Sequence, residues 1–205
     1  MCILLLIRHG DNDYIQAGRL PGRLPGIHLN ENGRTRVNKV AERLSSIPVR
    51  AIYSSPLERA METAELIAQP FEMKVEAREG LIEIDCGDWQ GQKLSNLKQS
   101  KLWMNAQYTP SRFRFPGGET FYEGQQRICQ EIESLNKQHG SKDILVCVSH
   151  GDPIRLAVAH YVGMPLDMFQ RLHVAPASIT ALYIGRAEAR LMVLNNEVTF
   201  SLDKA

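Results

Sequence analysis

Two runs of five apolar residues, at positions 3–7 and 144–148, constrain the fold more than any other feature of the chain. Neither run alternates with polar residues, which is typical of a strand buried on both faces inside a parallel sheet. Around these runs, segments with helical periodicity alternate with shorter strand-like segments. This alternation predicts an α/β fold, a three-layer α/β/α sandwich with a mostly parallel central sheet.

The composition fits one domain spanning residues 1–205. Hydrophobic residues make up 43% of the sequence and charged residues 23%, as in ordinary globular proteins. The net charge of +1 disfavours partners that are bound through bulk charge, such as nucleic acids and membrane surfaces. Neither a signal peptide nor a run of about 20 apolar residues is recognisable, which predicts a cytoplasmic protein. The oligomeric state is left open, with a homodimer as one option.

Local patterns predict where several elements begin and end. Ser55 and Glu58 have the spacing of a capping box, which predicts a helix with Pro56 as its first residue. Residues 11–30 are rich in glycine and proline, and we predict a loop there. A single helix is predicted over residues 95–106.

Histidine and glycine follow both apolar runs. Arg8 and His9 come directly after the first run, and His150 and Gly151 follow the second run after one serine. Because parallel strands end at the same edge of a sheet, we expect the two histidines to lie close together. Arg59 falls in the first turn of the helix predicted after the capping box, so its side chain leans toward that edge. Two imidazoles, two arginines and helix N-termini around one point predict a pocket for a dianion, most naturally phosphate.

These residue types suit phosphoryl transfer. A neutral imidazole is a good nucleophile toward phosphorus, and a phosphohistidine intermediate divides one difficult displacement into two easier ones. Arginines stabilise the charge of the group in transfer. The leaving oxygen needs a proton, and Glu83 and Asp85 are both candidates to supply it, provided that the pKa is raised.

A metal site is the rival use for the two histidines. They are accompanied by no H-E-x-x-H pattern, paired cysteines or acidic cluster in the sequence, and two neighbouring arginines would repel a cation. We therefore expect neither a metal nor a cofactor.

Five sequence blocks resemble, in order, those of the histidine phosphatase superfamily, in its phosphoglycerate mutase-like branch. The resemblance extends over about residues 3–160. The blocks read R-H-G at 8–10, S-S-P-L-x-R-A-x-E-T-A at 54–64, L-x-E-x-x-x-G-x-W-x-G at 81–91, G-G-E-T at 117–120 and V-S-H-G at 148–151. A lone R-H-G triplet is a weak signal, whereas five blocks in register are specific.

The resemblance implies a phosphoglycerate mutase-like fold and a role for each residue of the predicted pocket. His9 would be the phosphorylated nucleophile, and Arg8, Arg59 and His150 would form the rest of the phosphate pocket. Glu83 stands where the family keeps its acid, so the resemblance favours it over the second candidate. It would protonate the leaving oxygen and then activate the hydrolytic water.

Part of the pocket departs from the family pattern. Ile15 stands where the family often has an asparagine that contacts phosphate, and Asn12 stands where serine or threonine is usual. Asn12, Gln16 or Arg19 could supply the missing contact. We therefore include these three among the predicted substrate-binding residues, together with Arg8, Arg59, His150 and Gly151.

The resemblance also implies an insertion over the active site, at about residues 84–118, where substrate selectivity resides. Phosphoglycerate mutases carry a lysine and paired arginines after the acid, whereas this chain has Leu94 near the lysine position and separates Arg112 from Arg114. We therefore predict a phosphatase acting on a small phosphorylated metabolite, with a phosphomutase as the first alternative. A non-catalytic phosphate-binding module is the second, although a binder would have no need of Glu83.

Overall fold

The computed structural model of the chain describes residues 2–197. Its six strands form one sheet and are β1 (Cys2–Arg8), β2 (Val49–Ser54), β3 (Val75–Ala77), β4 (Ile144–Ser149), β5 (Ile179–Ile184) and β6 (Ala189–Asn196). Their order across the sheet is β3-β2-β4-β1-β5-β6. Strands β1 to β4 pair in parallel, whereas β5 pairs antiparallel with both β1 and β6. The mostly parallel sheet predicted from the sequence is confirmed.

The α-helices of the described chain are α1 (Asp13–Gln16), α2 (Glu31–Leu44), α3 (Glu58–Ala68), α4 (Leu94–Leu97), α5 (Lys101–Tyr108), α6 (Phe121–Gln138) and α7 (Gly151–Tyr161). Short 3₁₀ segments occur at Gln69–Phe71, Glu79–Leu81, Gly87–Trp89, Pro110–Arg112 and Leu166–Arg171. Helices α2 and α3 pack on one face of the sheet, and α6 and α7 pack on the other. This is the predicted three-layer sandwich. None of the helices within residues 2–197 has the length and apolar character needed to span a membrane.

Successive residues of β1 enter opposite cores. Leu5 and Ile7 pack against α2 and α3, whereas Leu4 and Leu6 pack against α6 and α7. All four are at most 8% exposed. A strand that is covered on both faces needs an apolar residue at every position, which explains the unbroken apolar run.

A third apolar cluster lies between segment 84–118 and helices α6 and α7. Its centre is aromatic: the ring of Trp89 lies 5.4 Å from that of Phe113 and 5.3 Å from that of Phe115. Phe115 in turn contacts Phe121 at the start of α6, with ring centroids 5.2 Å apart. Edge-on and tilted contacts of this kind are favourable for aromatic rings and give the segment a core of its own.

The two ends of segment 84–118 are bound to each other. The N–H of Asp88 donates to the carbonyl oxygen of Pro116 (2.8 Å), and the N–H of Glu119 donates to that of Asp85 (3.0 Å). Gly87 lies within this contact with φ of +48°, and a Cβ there would come 2.1 Å from the Pro116 oxygen. The close approach of the two ends therefore requires glycine at position 87.

The prediction of a capping box formed by Ser55 and Glu58 is wrong. Helix α3 begins at Glu58, two residues later than predicted, and its N-cap Leu57 makes no side-chain hydrogen bond. Ser55 is fully buried, and its hydroxyl lies 2.7 Å from Nε2 of His150. The hydroxyl also accepts a hydrogen bond from the N–H of Leu57 (3.4 Å), but its shorter contact is with a residue distant in sequence, and it does not cap α3.

Two other local predictions need correction. Residues 95–106, predicted as one helix, belong to α4 and α5, which separate at Ser100, where the serine side chain caps α5. Within the predicted loop at 11–30, the Asn12 side chain accepts a hydrogen bond from the N–H of Ile15 (3.0 Å) and starts the one-turn helix α1. In both places a polar side chain caps a short helix, which the composition of the segment does not reveal.

We predict that Gly87→Ala destabilises the protein by about 3 kcal/mol, because it combines a left-handed backbone with a backbone clash. Gly163→Ala is the matched control, since Gly163 also has positive φ (+67°) but open space around its Cβ position. It should cost only about 1 kcal/mol. Urea unfolding followed by circular dichroism measures both changes. Equal costs for the two variants would show that the ends of segment 84–118 tolerate a side chain at position 87.

Candidate active site

The parallel pairing of β1 with β4 brings the two predicted histidines together. Arg8 lies opposite Ser149 in this pairing, and the N–H of His9 donates to the Ser149 carbonyl oxygen (3.0 Å). The rings of His9 and His150 have centroids 5.1 Å apart and an interplanar angle of 61°. Both side chains are buried, so two imidazoles meet inside the protein at the carboxyl edge of the sheet.

Hydrogen bonds define the protonation state of His9. Its Nδ1 lies 2.7 Å from the carbonyl oxygen of Gly10, which can only accept, so Nδ1 carries the proton. Its Nε2 accepts a hydrogen bond from Nε of Arg59 (3.3 Å). Burial, together with the positive charges of Arg59 and Arg8, lowers the pKa of His9 well below its usual value. His9 is therefore neutral near pH 7, with its lone pair on Nε2.

His150 is a second neutral imidazole. Its Nδ1 lies 3.3 Å from Nη2 of Arg59, which can only donate, so the ring proton is on Nε2. From there it is donated to the hydroxyl of Ser55 (2.7 Å). Burial and the charge of Arg59 lower the pKa of His150 well below its usual value. The ring thus contributes a fixed lone pair facing Arg59.

Arg59 is the charged group at the centre of this arrangement. It lies in the first turn of α3, and its side chain is fully buried. Besides contacting both imidazoles, it donates from Nη2 to the carbonyl oxygen of Gly22 (2.7 Å), whereas Nη1 makes no hydrogen bond. A buried donor without a partner costs free energy, which an anion bound there would recover.

Two more buried nitrogens, in residues close to His9 in the sequence, make no hydrogen bond. Arg8 donates from Nη1 to the Val174 carbonyl oxygen (2.7 Å), but its Nε has no partner. The carbonyl oxygen of the Asn12 side chain caps α1, which leaves its Nδ2 without a partner. Donors in this state fit a ligand with several acceptor oxygens, such as phosphate.

A cavity of about 330 Å³ opens beside this cluster of residues, although Arg59, His150 and Asn12 do not form part of its wall. Arg8, His9, Glu83 and Gly151 line it, so the candidates for phosphate binding and proton transfer share one space. The remaining wall comes mainly from the loop after β1, segment 84–118 and α7, and consists of Ile15, Arg19, Leu20, Pro21, Cys86, Trp89, Leu94, Trp103, Ala106, Gln107, Phe115, Phe121, Asp152, Arg155 and Gln170.

The three residues proposed to contact phosphate in place of Ile15 differ in where they lie. Asn12 is fully buried, as described above, whereas Gln16 is exposed and lies outside the cavity wall. Arg19 lines the cavity, but its guanidinium is on the exposed side, where it donates to the Gly91 carbonyl oxygen (2.8 Å). Ile15 itself lines the cavity with an apolar side chain.

Glu83 faces the same point as the histidines. Its Oε2 lies 3.9 Å from Nδ1 of His150, and its Oε1 accepts a hydrogen bond from the N–H of Ile84 (2.9 Å). Burial, followed by the negative charge of Asp152, raises the pKa of Glu83 to about 7. The carboxyl group can therefore both give and take a proton near neutral pH.

Asp85, the other acid that the sequence offers, is used elsewhere. Its Oδ1 accepts a hydrogen bond from the N–H of Gly87 (3.0 Å), and its Oδ2 lies 3.9 Å from Nη1 of Arg23. It does not line the cavity that contains Glu83. The geometry thus brings Glu83, rather than Asp85, to the histidines.

Sequence reasoning missed three residues that hold the backbone of Glu83. Nε of Arg23 and Nη2 of Arg127 donate to its carbonyl oxygen, at 2.7 and 3.4 Å. Both guanidinium groups also bind Oε1 of Glu119, at 3.0 and 2.5 Å, and this oxygen accepts from the N–H of Asp85 (2.9 Å). Glu119 belongs to the G-G-E-T block, which is the signal that could have revealed it. The two arginines have no comparable signal in the sequence.

Within residues 2–197, no three His, Cys, Asp or Glu side chains are grouped so that they could hold a metal ion. The two histidines of the site are instead in contact with the guanidinium of Arg59. Its positive charge disfavours a cation at this position.

The sequence pattern of the histidine phosphatase superfamily (branch 1) matches residues 4–197. This match includes β1 from residue 4 onward, all the other strands of the sheet and the whole candidate site. The chain belongs to the histidine phosphatase superfamily. The family resemblance drawn from the five sequence blocks is therefore confirmed.

Known proteins resemble this histidine phosphatase superfamily member over most of its length. Phosphoserine phosphatase 1 of Hydrogenobacter thermophilus is 29% identical, with 98% of this chain and 95% of the relative covered. A 2,3-bisphosphoglycerate-dependent phosphoglycerate mutase of Thermoplasma acidophilum is 30% identical, with 91% and 90% covered. The structure of a mycobacterial glucosyl-3-phosphoglycerate phosphatase matches with a TM-score of 0.87 at 28% identity, covering 95% of this chain and 99% of that one. These relatives are named for different substrates.

We predict that the carboxyl group of Glu83 titrates near pH 7 rather than near the usual value of about 4.3. Carbon-13 NMR of labelled glutamate carboxyl groups measures this pKa, and Glu83→Gln identifies the signal by removing it. Asp152→Asn should lower the pKa by roughly half a unit or more, because a nearby negative charge is removed. Titration of Glu83 below pH 5 in the wild type would contradict the prediction.

Proposed function

We propose that this protein is a phosphomonoesterase that hydrolyses a small phosphorylated metabolite through a phosphohistidine intermediate. The observation that carries the proposal is the state of His9, a buried neutral imidazole whose Nε2 lone pair lies beside Arg59. An imidazole in this state can attack an electrophile such as phosphorus. Glu83, with a pKa of about 7, adds the proton donor that the leaving group needs.

In the first step, Nε2 of His9 attacks the phosphorus atom. The P–N bond forms while the bond from phosphorus to the alcohol oxygen breaks, and Glu83 gives its proton to that oxygen. Arg8 and Arg59 donate to the phosphoryl oxygens from the nitrogens that lack partners, which stabilises the charge of the transferring group. His150 faces Nη2 of Arg59 and orients the guanidinium.

In the second step, a water molecule attacks the phosphorus atom of phosphohistidine. The Glu83 carboxylate takes a proton from the water as the P–O bond forms and the P–N bond breaks. Inorganic phosphate leaves, the electron pair returns to Nε2 of His9, and Glu83 is again protonated. A carboxyl group with a pKa near the working pH can serve in both steps, because neither its acid nor its base form is scarce.

The same arrangement supports catalysis without a metal. Arg8 and Arg59 supply the positive charge that metal ions supply in other phosphoryl-transfer enzymes, and they would repel a cation. A cytoplasmic location and a homodimer stay predictions, as does the absence of nucleic-acid partners.

We take segment 84–118 to be an insertion over the active site within a single domain. Trp89, Leu94, Trp103 and Phe115 of this segment line the cavity that contains His9, which supports a role in substrate selection. Hydrogen bonds between the two ends of the segment allow it to be added to the fold without disturbing the sheet.

A phosphomutase, the activity for which the Thermoplasma relative is named, is the first alternative. A mutase must retain its product until rephosphorylation, which calls for further polar contacts in the cavity. Leu94 instead presents an apolar side chain there, and Arg114 lies outside the wall in an exposed pair with Glu123 (2.6 Å). Arg112 is exposed and also lies outside the wall. These placements favour hydrolysis.

A non-catalytic phosphate-binding module is the second alternative. A binder gains nothing from a protonatable acid at the phosphate pocket, yet three charged side chains hold the backbone of Glu83 in place. Burial of Glu83 disfavours its charged form, so its presence is easier to understand as part of a reaction.

We predict that the wild-type protein releases inorganic phosphate from members of a metabolite phosphate panel in the presence of EDTA. His9→Ala should lower this turnover at least about 1,000-fold, because the nucleophile is removed, and should abolish acid-labile labelling of the protein. The panel includes 3-phosphoglycerate, with its isomerisation followed in parallel. Isomerisation that outpaces phosphate release would favour the mutase, and full hydrolysis by His9→Ala would exclude the phosphohistidine mechanism.

We predict that Glu83→Gln slows the phosphorylation of His9 by about 100- to 10,000-fold with alkyl phosphates, whose leaving oxygens need a proton. The slowing should be much smaller with p-nitrophenyl phosphate, because its leaving group departs as a stable anion. Rapid-quench measurement of the phosphoenzyme isolates this step from the later hydrolysis. Equal slowing with both classes of ester would remove Glu83 from the role of acid.

A further inference from the structure

The part of the cavity wall beyond the phosphate-binding residues is largely apolar. Trp89 and Trp103 both line it and stack on each other, with ring centroids 6.0 Å apart and planes inclined by 24°. Phe115 and Phe121 add two further aromatic rings. Surfaces of this kind gain free energy by covering apolar or aromatic groups of a ligand.

The loop after β1 extends this apolar wall. Ile15 and Leu20, both in the loop that follows His9, line the cavity with aliphatic side chains. Leu94, at the start of α4, joins them. Three aliphatic side chains thus take positions at which a polar substrate would need hydrogen-bond partners.

The charged groups of this wall do not offer a site for a second anion. The guanidinium of Arg155 is bound by the carboxylate of Asp152 and by Oε1 of Gln170 (2.9 Å), and it lies over the ring of Phe169, 5.6 Å from its centroid. Arg19 has an exposed side chain, so solvent screens its charge. Asp152, the ion-pair partner of Arg155, also lines the cavity, so the pair adds no net positive charge that could hold a substrate carboxylate.

From these observations we propose that the substrate is the phosphate monoester of an alcohol whose body is uncharged and apolar or aromatic. This inference rests on the proposed phosphatase activity and names its substrate class. The body would lie against the stacked rings of Trp89 and Trp103, with the phosphate at His9. The cavity of about 330 Å³ has room for the phosphate together with a compact body of one or two rings. Substrates with a carboxylate beside the phosphate, such as phosphoserine, would be poor.

The test compares three esters of primary alcohols under identical conditions, 2-phenylethyl phosphate, ethyl phosphate and O-phosphoserine. All three need a protonated leaving oxygen, so differences report on the cavity wall rather than on the acid. We expect kcat/KM for 2-phenylethyl phosphate to exceed the values for the other two at least about 10-fold, as is usual for contacts with an apolar pocket.

Substitutions in α5 test whether the aromatic cavity wall causes the preference for 2-phenylethyl phosphate. Trp103 is only partly buried, so Trp103→Ala should fold, and we expect it to reduce the preference for 2-phenylethyl over ethyl phosphate to about 3-fold or less. Trp103→Phe should restore most of it. Tyr108→Ala is the matched control, since Tyr108 is on the same helix, is 68% exposed and lies outside the cavity wall. It should leave the preference unchanged.

The outcomes distinguish a failure of the proposed substrate class from a failure of the proposed phosphatase activity. Hydrolysis of all three esters with O-phosphoserine preferred would overturn the substrate class while leaving the phosphatase activity intact. An equal loss with both uncharged esters in Trp103→Ala would show that the aromatic wall does not select the substrate. Failure to release phosphate from any ester or from the metabolite panel would instead overturn the proposed function.

Discussion

The pairing of β1 with β4 holds the rest of the candidate site in place. Its parallel ladder runs from Ile3 opposite Ile144 to Arg8 opposite Ser149, and the two histidines follow at its end. A slip of one residue in either strand would turn its side chains to the other face of the sheet and separate the imidazoles. The slip is prevented by the apolar residues on both faces, which would have to exchange cores. Packing energy therefore secures the geometry of a polar site.

Burial at the candidate site shifts the pKa values of acids and bases in opposite directions, and both shifts suit the proposed reaction. It disfavours the charged form of any group, so it lowers the pKa of His9 and raises that of Glu83. The histidine keeps its lone pair, and the carboxyl group keeps its proton near pH 7. Arg59 remains charged in the same environment because a guanidinium loses its proton only at very high pH. One buried site thus holds a nucleophile, an acid and a cation in the required states.

Segment 84–118 has a different physical basis from the sheet beneath it. Its two ends are hydrogen-bonded to each other around Gly87, and aromatic rings such as Trp89 and Phe115 form its own core. The same rings present surface to the cavity, so the residues that stabilise the segment also shape the space for the substrate. A change of substrate preference at these positions would therefore be accompanied by a change in stability.

The sequence by itself determined the fold class and the meeting of His9 with His150, because unbroken apolar runs indicate buried parallel strands whose carboxyl ends share one edge of the sheet. It also determined the family, through the resemblance of five blocks in register. Only the tertiary structure decided how the polar groups are used. Ser55 has the spacing of a helix cap but bonds to His150, which is 95 residues away. Glu119 joins two arginines, the more distant of them 96 residues away, and with them holds the backbone of Glu83. A polar side chain bonds to whichever partner packing brings within about 3 Å, and that choice is made only when the chain is folded.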